Sequence, residues 1–245
     1  MSEDELVFYA KAGFDGKSGG ACPFCQRCLL LLHLKGLKFG VVYVNLARPP
    51  KDFRSRGFSR VPAIWDGEQG LDTPDDIVAY VDSHWPKPDL SCDDPEAEIA
   101  VKNLFSRFCF FVKEVSKDSG PLRTELERFD AYLQRGKHRF VRSDDLCHLD
   151  CEVLPKLHHL RVALAALKGF QLSSGLSGIW RYLHAAYSND AFVKTCPSDQ
   201  EIVLHWADRP DTPNLSREKH ALLTRQEPKF SFDVPAFAKP MLLRD

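Results

Sequence analysis

Cys22-Pro23-Phe24-Cys25 is the tetrapeptide in this chain best equipped for chemistry. A cysteine just ahead of a helix meets unpaired backbone N–H groups and the positive end of the helix dipole, so its thiolate is stabilised and its pKa falls. A second cysteine three residues on can attack a mixed disulfide formed at the first. The pattern therefore predicts Cys22 as nucleophile and Cys25 as resolving thiol, with two inert packed thiols as the alternative. Val61-Pro62 supports the redox reading, because a cis proline beside a dithiol presents backbone to a disulfide-bound peptide. Cys28 extends the motif to C-x-x-C-x-x-C, the opening of an iron–sulfur ligand run. Leu31 and Leu32 stand where that run would place its fourth cysteine, so Cys28 is expected to be a core thiol. Cys147, His148, Cys151, His158 and His159 raise zinc, but they lack the paired spacing of zinc ligands, and no metal is expected. Arg48, Lys51, Arg54, Arg56 and Arg60 make a basic loop, expected to be solvated, with an anion or lipid headgroup as the alternative contact.

These residues need elements to position them. Leu6-Val7-Phe8-Tyr9 is a short β-rich run; turn-forming residues follow, and the dithiol opens a leucine-rich stretch, which reads as strand, loop, helix. Phe39 to Leu46 reads as a second, nearly continuous strand of the kind buried in a parallel sheet. Val61 to Trp65 with Asp66-Gly67 predicts a strand entering a turn, and Thr73-Pro74-Asp75-Asp76 a capped helix over roughly 74–83. His84-Trp85-Pro86-Lys87-Pro88 cannot continue that helix, which places a domain boundary there. Beyond it apolar residues recur at helical spacing. The expected organisation is an α/β domain over 1–86, an all-helical domain over 93–207, and an extended or mobile tail over 208–245, where five prolines interrupt a polar stretch with no convincing amphipathic face.

Composition narrows the function. Hydrophobic residues at 44% and charged residues at 27% describe a globular protein rather than a disordered one. A formal net charge of −1 gives no pull toward nucleic acid, which is not an expected partner. The N-terminus has no basic n-region or cleavage site, so a cytoplasmic location with reduced thiols is expected.

Several blocks resemble the chloride intracellular channel proteins, which share the glutathione transferase superfamily fold. They are Lys11-Ala12-Gly13 with Asp15-Gly16, Cys22 to Arg27, Leu34-Lys35-Gly36, Asp150-Cys151 with Leu154-Pro155-Lys156-Leu157, and Ser177 to Leu183 continuing to Thr195 to Asp199. The resemblance covers about 1–207. It implies a thioredoxin-like α/β N-terminal domain plus an all-α C-terminal domain, and a soluble form with glutaredoxin-like chemistry on glutathione as co-substrate. It also implies a membrane-associated form, triggered by oxidation or acid, that self-associates on anionic membranes and conducts chloride. Carried over by position, Cys22 and Cys25 are the catalytic pair, and Lys11, Phe24, Val61, Pro62, Asp72 and Thr73 the glutathione-binding set. Arg27, His33 and Lys35 are the pore candidates. A non-catalytic interaction module on the same fold is the competing class. His33 in place of Trp, Thr73 in place of an acidic residue, Cys147 in place of a capping Thr and a short 133–140 connection point to an invertebrate or divergent member.

The family's membrane segment corresponds to Cys22 to Val44, long enough at ~1.5 Å per residue to cross a hydrocarbon core of ~30 Å. Its composition argues the other way. Arg27, Lys35 and Lys38 each cost ~2.5–3.5 kcal/mol at mid-bilayer, against ~0.3–0.6 returned by each of about eleven Leu, Phe and Val residues. A mainly soluble protein with a minor membrane form is the expectation, with His33 as a candidate acid trigger.

Overall fold

The computed structural model describes residues 6–136, 138–212 and 214–236. Four strands, β1 (Val7–Lys11), β2 (Gly40–Val44), β3 (Ala63–Trp65) and β4 (Gly70–Leu71), form one sheet in the order β2-β1-β3-β4. β1 runs parallel to β2, with Val7 opposite Gly40, and antiparallel to β3, with Phe8 opposite Ile64. This mixed sheet is the thioredoxin-like part of the expected fold. The period-2 alternation of β1 sends its side chains to opposite faces. Phe8 and Ala10 pack with helices α1 (Pro23–Leu34) and α3 (Pro74–His84), while Val7 and Tyr9 pack with Phe53 of α2 (Lys51–Ser55) and with Phe58.

The strand at 39–46 differs from its expected place. β2 is an edge strand, and Val41 and Tyr43 are 38% and 39% exposed. Strand propensity reports fit to a pleated surface and does not say whether a second strand covers the far side.

Helices α4 (Pro95–Val101), α5 (Leu104–Val112), α6 (Gly120–Arg135), α7 (His148–Lys168), α8 (Ser177–Tyr187), α9 (Asp190–Thr195) and α10 (Asp199–Ala207) build the helical part around α7. The leucine run of α1 lacks a polar face because the helix lies between the sheet and α7: Leu31 and Leu32 enter the sheet core, and Leu30 the helical core. Asp150 holds the start of α7. Its fully buried carboxylate accepts from the Cys147 N–H at 2.9 Å, the Val141 N–H at 3.1 Å and the Tyr182 hydroxyl at 2.8 Å. Gly178 opens the way for a second such contact, because a Cβ there would sit 2.8 Å from the Asp130 carbonyl oxygen, and the Ile179 N–H reaches the Asp130 carboxylate at 2.8 Å.

The segment after Asp208, expected to be extended or mobile, carries a helix, α11 (Arg217–Arg225), capped by Ser216. Residues 226–234 then dock along the start of α10: the Asp199 N–H donates to the Lys229 carbonyl at 2.8 Å, and Gln200 Nε2 to the Glu227 carbonyl at 2.8 Å. Arg161 of α7 donates to the carbonyls of Ser231 and Asp233, and Phe232 lies 5.2 Å from the Tyr187 ring. α11 is strongly polar and fully buries no residue, with Leu223 only partly buried against the core, and the docking of 226–234 rests on hydrogen bonds and on alternate apolar residues. The part of the tail beyond 236 lies outside the described residues.

Candidate active site around Cys22

Cys22 is the N-cap of α1, in extended conformation, and Pro23 follows at the first helical position. The proline fits there because the first N–H of a helix has no internal partner to lose. The next donors turn toward the sulfur. The Cys25 thiol, then the N–H groups of Cys25 and Phe24, then the charge of Lys11 lower the Cys22 thiol to about 7, against the opposing effect of burial. Cys25 is buried and moves the other way, raised well above the ordinary thiol value by burial and by the Cys22 sulfur beside it. Burial, against the opposing charge of Arg27, pushes Cys28 up to about 12. All eight cysteines are free thiols.

The other residues implied in glutathione binding form two groups. The Val61–Pro62 bond is cis, and Pro62 is buried. Asp72 accepts from Arg60 at 3.1 Å, and Thr73 caps α3 by accepting the Asp76 N–H at 3.2 Å. Phe24 is exposed and sets its edge against Phe105 at 6.1 Å. Lys11 points toward the helical part, where its Nζ lies 2.7 Å from His205 Nδ1. Arg209 approaches the other ring nitrogen of His205 at 3.0 Å. Burial and these cations drive His205 far below its ordinary value, and burial lowers Lys11. Glu201 of α10 accepts the Phe14 N–H at 2.9 Å, and Gly13 lacks the Cβ that would collide with that carboxylate.

His205, Arg209 and Glu201 were not singled out in the sequence, since nearly 200 residues separate them from Lys11. The only local hint was a histidine on an otherwise apolar turn of α10.

The pore candidates differ in exposure and take different partners. Arg27 pairs with Asp75 at 2.8 Å and Glu152 at 3.7 Å. Lys35 has a side chain only 1% exposed, held by Asp82 at 2.8 Å and the Pro88 carbonyl at 2.8 Å. His33 is exposed against the Phe39 ring. The residues weighed for zinc take separate partners: His148 bonds Asp82 at 2.6 Å, His158 the Tyr187 hydroxyl at 3.0 Å, and His159 the Trp206 indole at 3.2 Å. The segment read as a basic loop holds α2, with Lys51 and Arg54 on it, and just after it Arg56 stacks 4.8 Å over Trp65 and donates to Tyr9.

A family model described as a CLIC-like N-terminal domain matches residues 4–75. Over 214 residues the chain is 42% identical to the chloride intracellular channel exl-1 of Caenorhabditis elegans, covering 85% of this chain and 89% of that one. The chain belongs to the chloride intracellular channel family. Among solved structures, the CLIC homologue EXC-4 of C. elegans superposes with a TM-score of 0.80 at 24% identity, covering 98% of this chain and 92% of that one. Dehydroascorbate reductase of Chlamydomonas reinhardtii superposes with a TM-score of 0.74 at 26% identity, covering 84% of this chain and 98% of that one. The fold is thus the two-part fold of the glutathione transferases. Among the described residues of this chloride intracellular channel family member, no helix is long and apolar enough to cross a membrane.

Proposed function

We propose that this protein, in its reduced form, is a glutathione-dependent thiol–disulfide oxidoreductase. The observation that carries the reading is the asymmetry of the dithiol: Cys22 is lowered to about 7 at the helix start, and Cys25 behind it is raised. Near neutral pH Cys22 is partly thiolate, while Cys25 keeps its proton for delivery to the sulfur. The Cys22 thiolate attacks a substrate disulfide, forming a mixed disulfide and releasing one substrate thiol. Glutathione, or Cys25 after losing its proton, then attacks the Cys22 sulfur and releases the second thiol. Over a cycle the substrate disulfide gains two electrons and two protons from two glutathione molecules, which leave as glutathione disulfide.

Glutathione would run along the Val61–Pro62 backbone, with its γ-glutamyl end at the start of α3. The helix N–H groups there suit its carboxylate, and Asp72 and Asp76 suit its ammonium. The similar reductase from Chlamydomonas agrees with chemistry of this class. A glutathione-coupled disulfide reduction assay tests the proposal. Cys22→Ser should lose at least about 100-fold in rate, and Cys25→Ser should retain a monothiol reaction. Equal rates in wild type and Cys22→Ser would leave the interaction-module reading.

The name of the nematode relative favours a second reading, a membrane-associated form that passes chloride. α1 has 12 residues, about 18 Å at ~1.5 Å per residue, so the segment 22–44 would have to refold and release the Arg27 and Lys35 ion pairs. Chloride efflux from anionic liposomes at mildly acidic pH should exceed a heat-denatured control, and Lys35→Glu should weaken the anion preference. No efflux from the wild type would dispose of this reading.

A further inference from the structure

Outside the dithiol at α1, the chain brings a second pair of thiols together. Cys92 lies in the connection between α3 and α4, and Cys147 is the N-cap of α7. The His148 N–H donates to the Leu90 carbonyl at 2.8 Å, and Arg142 donates to the Ser91 carbonyl at 2.7 Å, so the residues just before Cys92 are tied to chain on either side of Cys147. Cys147 belongs to the buried apolar cluster and Cys92 packs against it, and each thiol acts on the proton affinity of the other. A cavity of about 830 Å³, lined by Ser91, Arg142 and Cys147 among others, opens beside the contact. Cys92 is partly exposed and Cys147 buried.

We propose that Cys92 and Cys147 are a second redox pair, which closes to a disulfide on reaction with a low-molecular-weight disulfide and clamps the interdomain connection to the start of α7. The accessible Cys92, as thiolate, attacks one sulfur of glutathione disulfide, releases a glutathione thiolate and becomes a mixed disulfide. Cys147 loses its proton, attacks the Cys92 sulfur and releases the second glutathione. The protein gives up two electrons and two protons, and one glutathione disulfide becomes two glutathione molecules. Both thiols lie above the ordinary value, Cys92 by burial and Cys147 by burial and the Asp150 carboxylate. The pair therefore reacts more slowly than Cys22, and its closure quickens with rising pH. A disulfide between these positions would close a long loop, the case in which a cross-link most restricts the unfolded chain.

The test uses the full chain with Cys22→Ser and Cys25→Ser, so its outcome is independent of the oxidoreductase proposal. The protein is incubated with glutathione disulfide at mildly alkaline pH, denatured, alkylated and mapped by mass spectrometry. Of eight cysteines less the two replaced, six alkylatable thiols should fall to four, with one linked peptide pair joining Cys92 to Cys147. The melting midpoint should rise by several degrees and return on reduction. Adding Cys147→Ser, which keeps an N-cap acceptor, should leave glutathione trapped on Cys92 and abolish the rise. Stable glutathione on Cys92 with Cys147 still alkylatable in the parent protein, or links to other cysteines instead, would overturn the proposal.

Discussion

The contrast between Cys22 and Cys25 arises within four residues. The Cys25 thiol and then the first free N–H groups of α1 lower the Cys22 thiol, while burial raises Cys25. Lys11 adds its charge from β1, and His205 holds that lysine through its Nδ1 atom at 2.7 Å. Two outcomes follow for alkylation of Cys22 by iodoacetamide. The rate should rise with pH through a midpoint near 7, since the thiolate is the reacting form. Lys11→Met removes a nearby positive charge and should move the midpoint up by as much as about 1 unit. A midpoint near the ordinary thiol value in wild type would contradict this account, and an unmoved midpoint in Lys11→Met would remove Lys11 from it. The dithiol and its helix start were legible in the sequence because the main causes of their reactivity, the Cys25 thiol and the N–H groups of Phe24 and Cys25, lie within four residues. The Lys11–His205–Arg209 chain was not, because it exists only once α10 is laid against β1.

Among the elements, α7 shows how far local signals reach. Its N-terminus depends on Asp150, three residues past the cap at Cys147, and that spacing was visible. The hydroxyl of Tyr182 and the N–H of Val141, which also donate to Asp150, come from α8 and from the preceding loop. Asp150→Ala would leave three buried donors without an acceptor and is expected to cost about 3 kcal/mol or more. Asp150→Asn keeps one acceptor oxygen and should lose less. Urea unfolding of the two variants checks the order, and equal small losses would mean that water replaces the carboxylate. Two elements escaped the sequence for a shared reason. Val41 and Tyr43 are apolar although exposed, and α11 is helical although it is mostly polar and fully buries no residue, so hydrophobic pattern misplaced β2 and overlooked α11. The docked tail was hidden in another way: Phe230, Phe232 and Val234 alternate as a strand would, but the segment pairs with side chains and helix ends rather than with a sheet.

At the scale of the whole molecule, the helical part buries three histidines that must stay neutral, and one of them, His205, meets Lys11 of β1. Burial lowers His158 to about 3 and takes His159 and His205 well below their ordinary value of 6.5. The charged groups facing them oppose protonation as well: Lys11 from β1 and Arg209 after α10 act on His205 and His159, and Arg161 of α7 acts on His158. Below pH 6.5 the unfolded chain therefore binds more protons than the folded one. Stability is held above that pH and lost as pH falls, by up to about 1.4 kcal/mol per unit for each histidine. Asp150 and Glu201 are raised by burial and act in the opposite sense, gaining protons in the folded state as pH falls. Burial lowers His33 and His148 as well, so five histidines outweigh two carboxylates and the melting midpoint should drop between about pH 7.5 and about pH 5.5. His205→Gln retains an acceptor for Lys11 but cannot charge, and its midpoint should fall less steeply over the same range. A flat wild-type profile would show that the carboxylates balance the histidines. An equally steep fall in His205→Gln would place the acid response elsewhere than at the contact between Lys11 and α10.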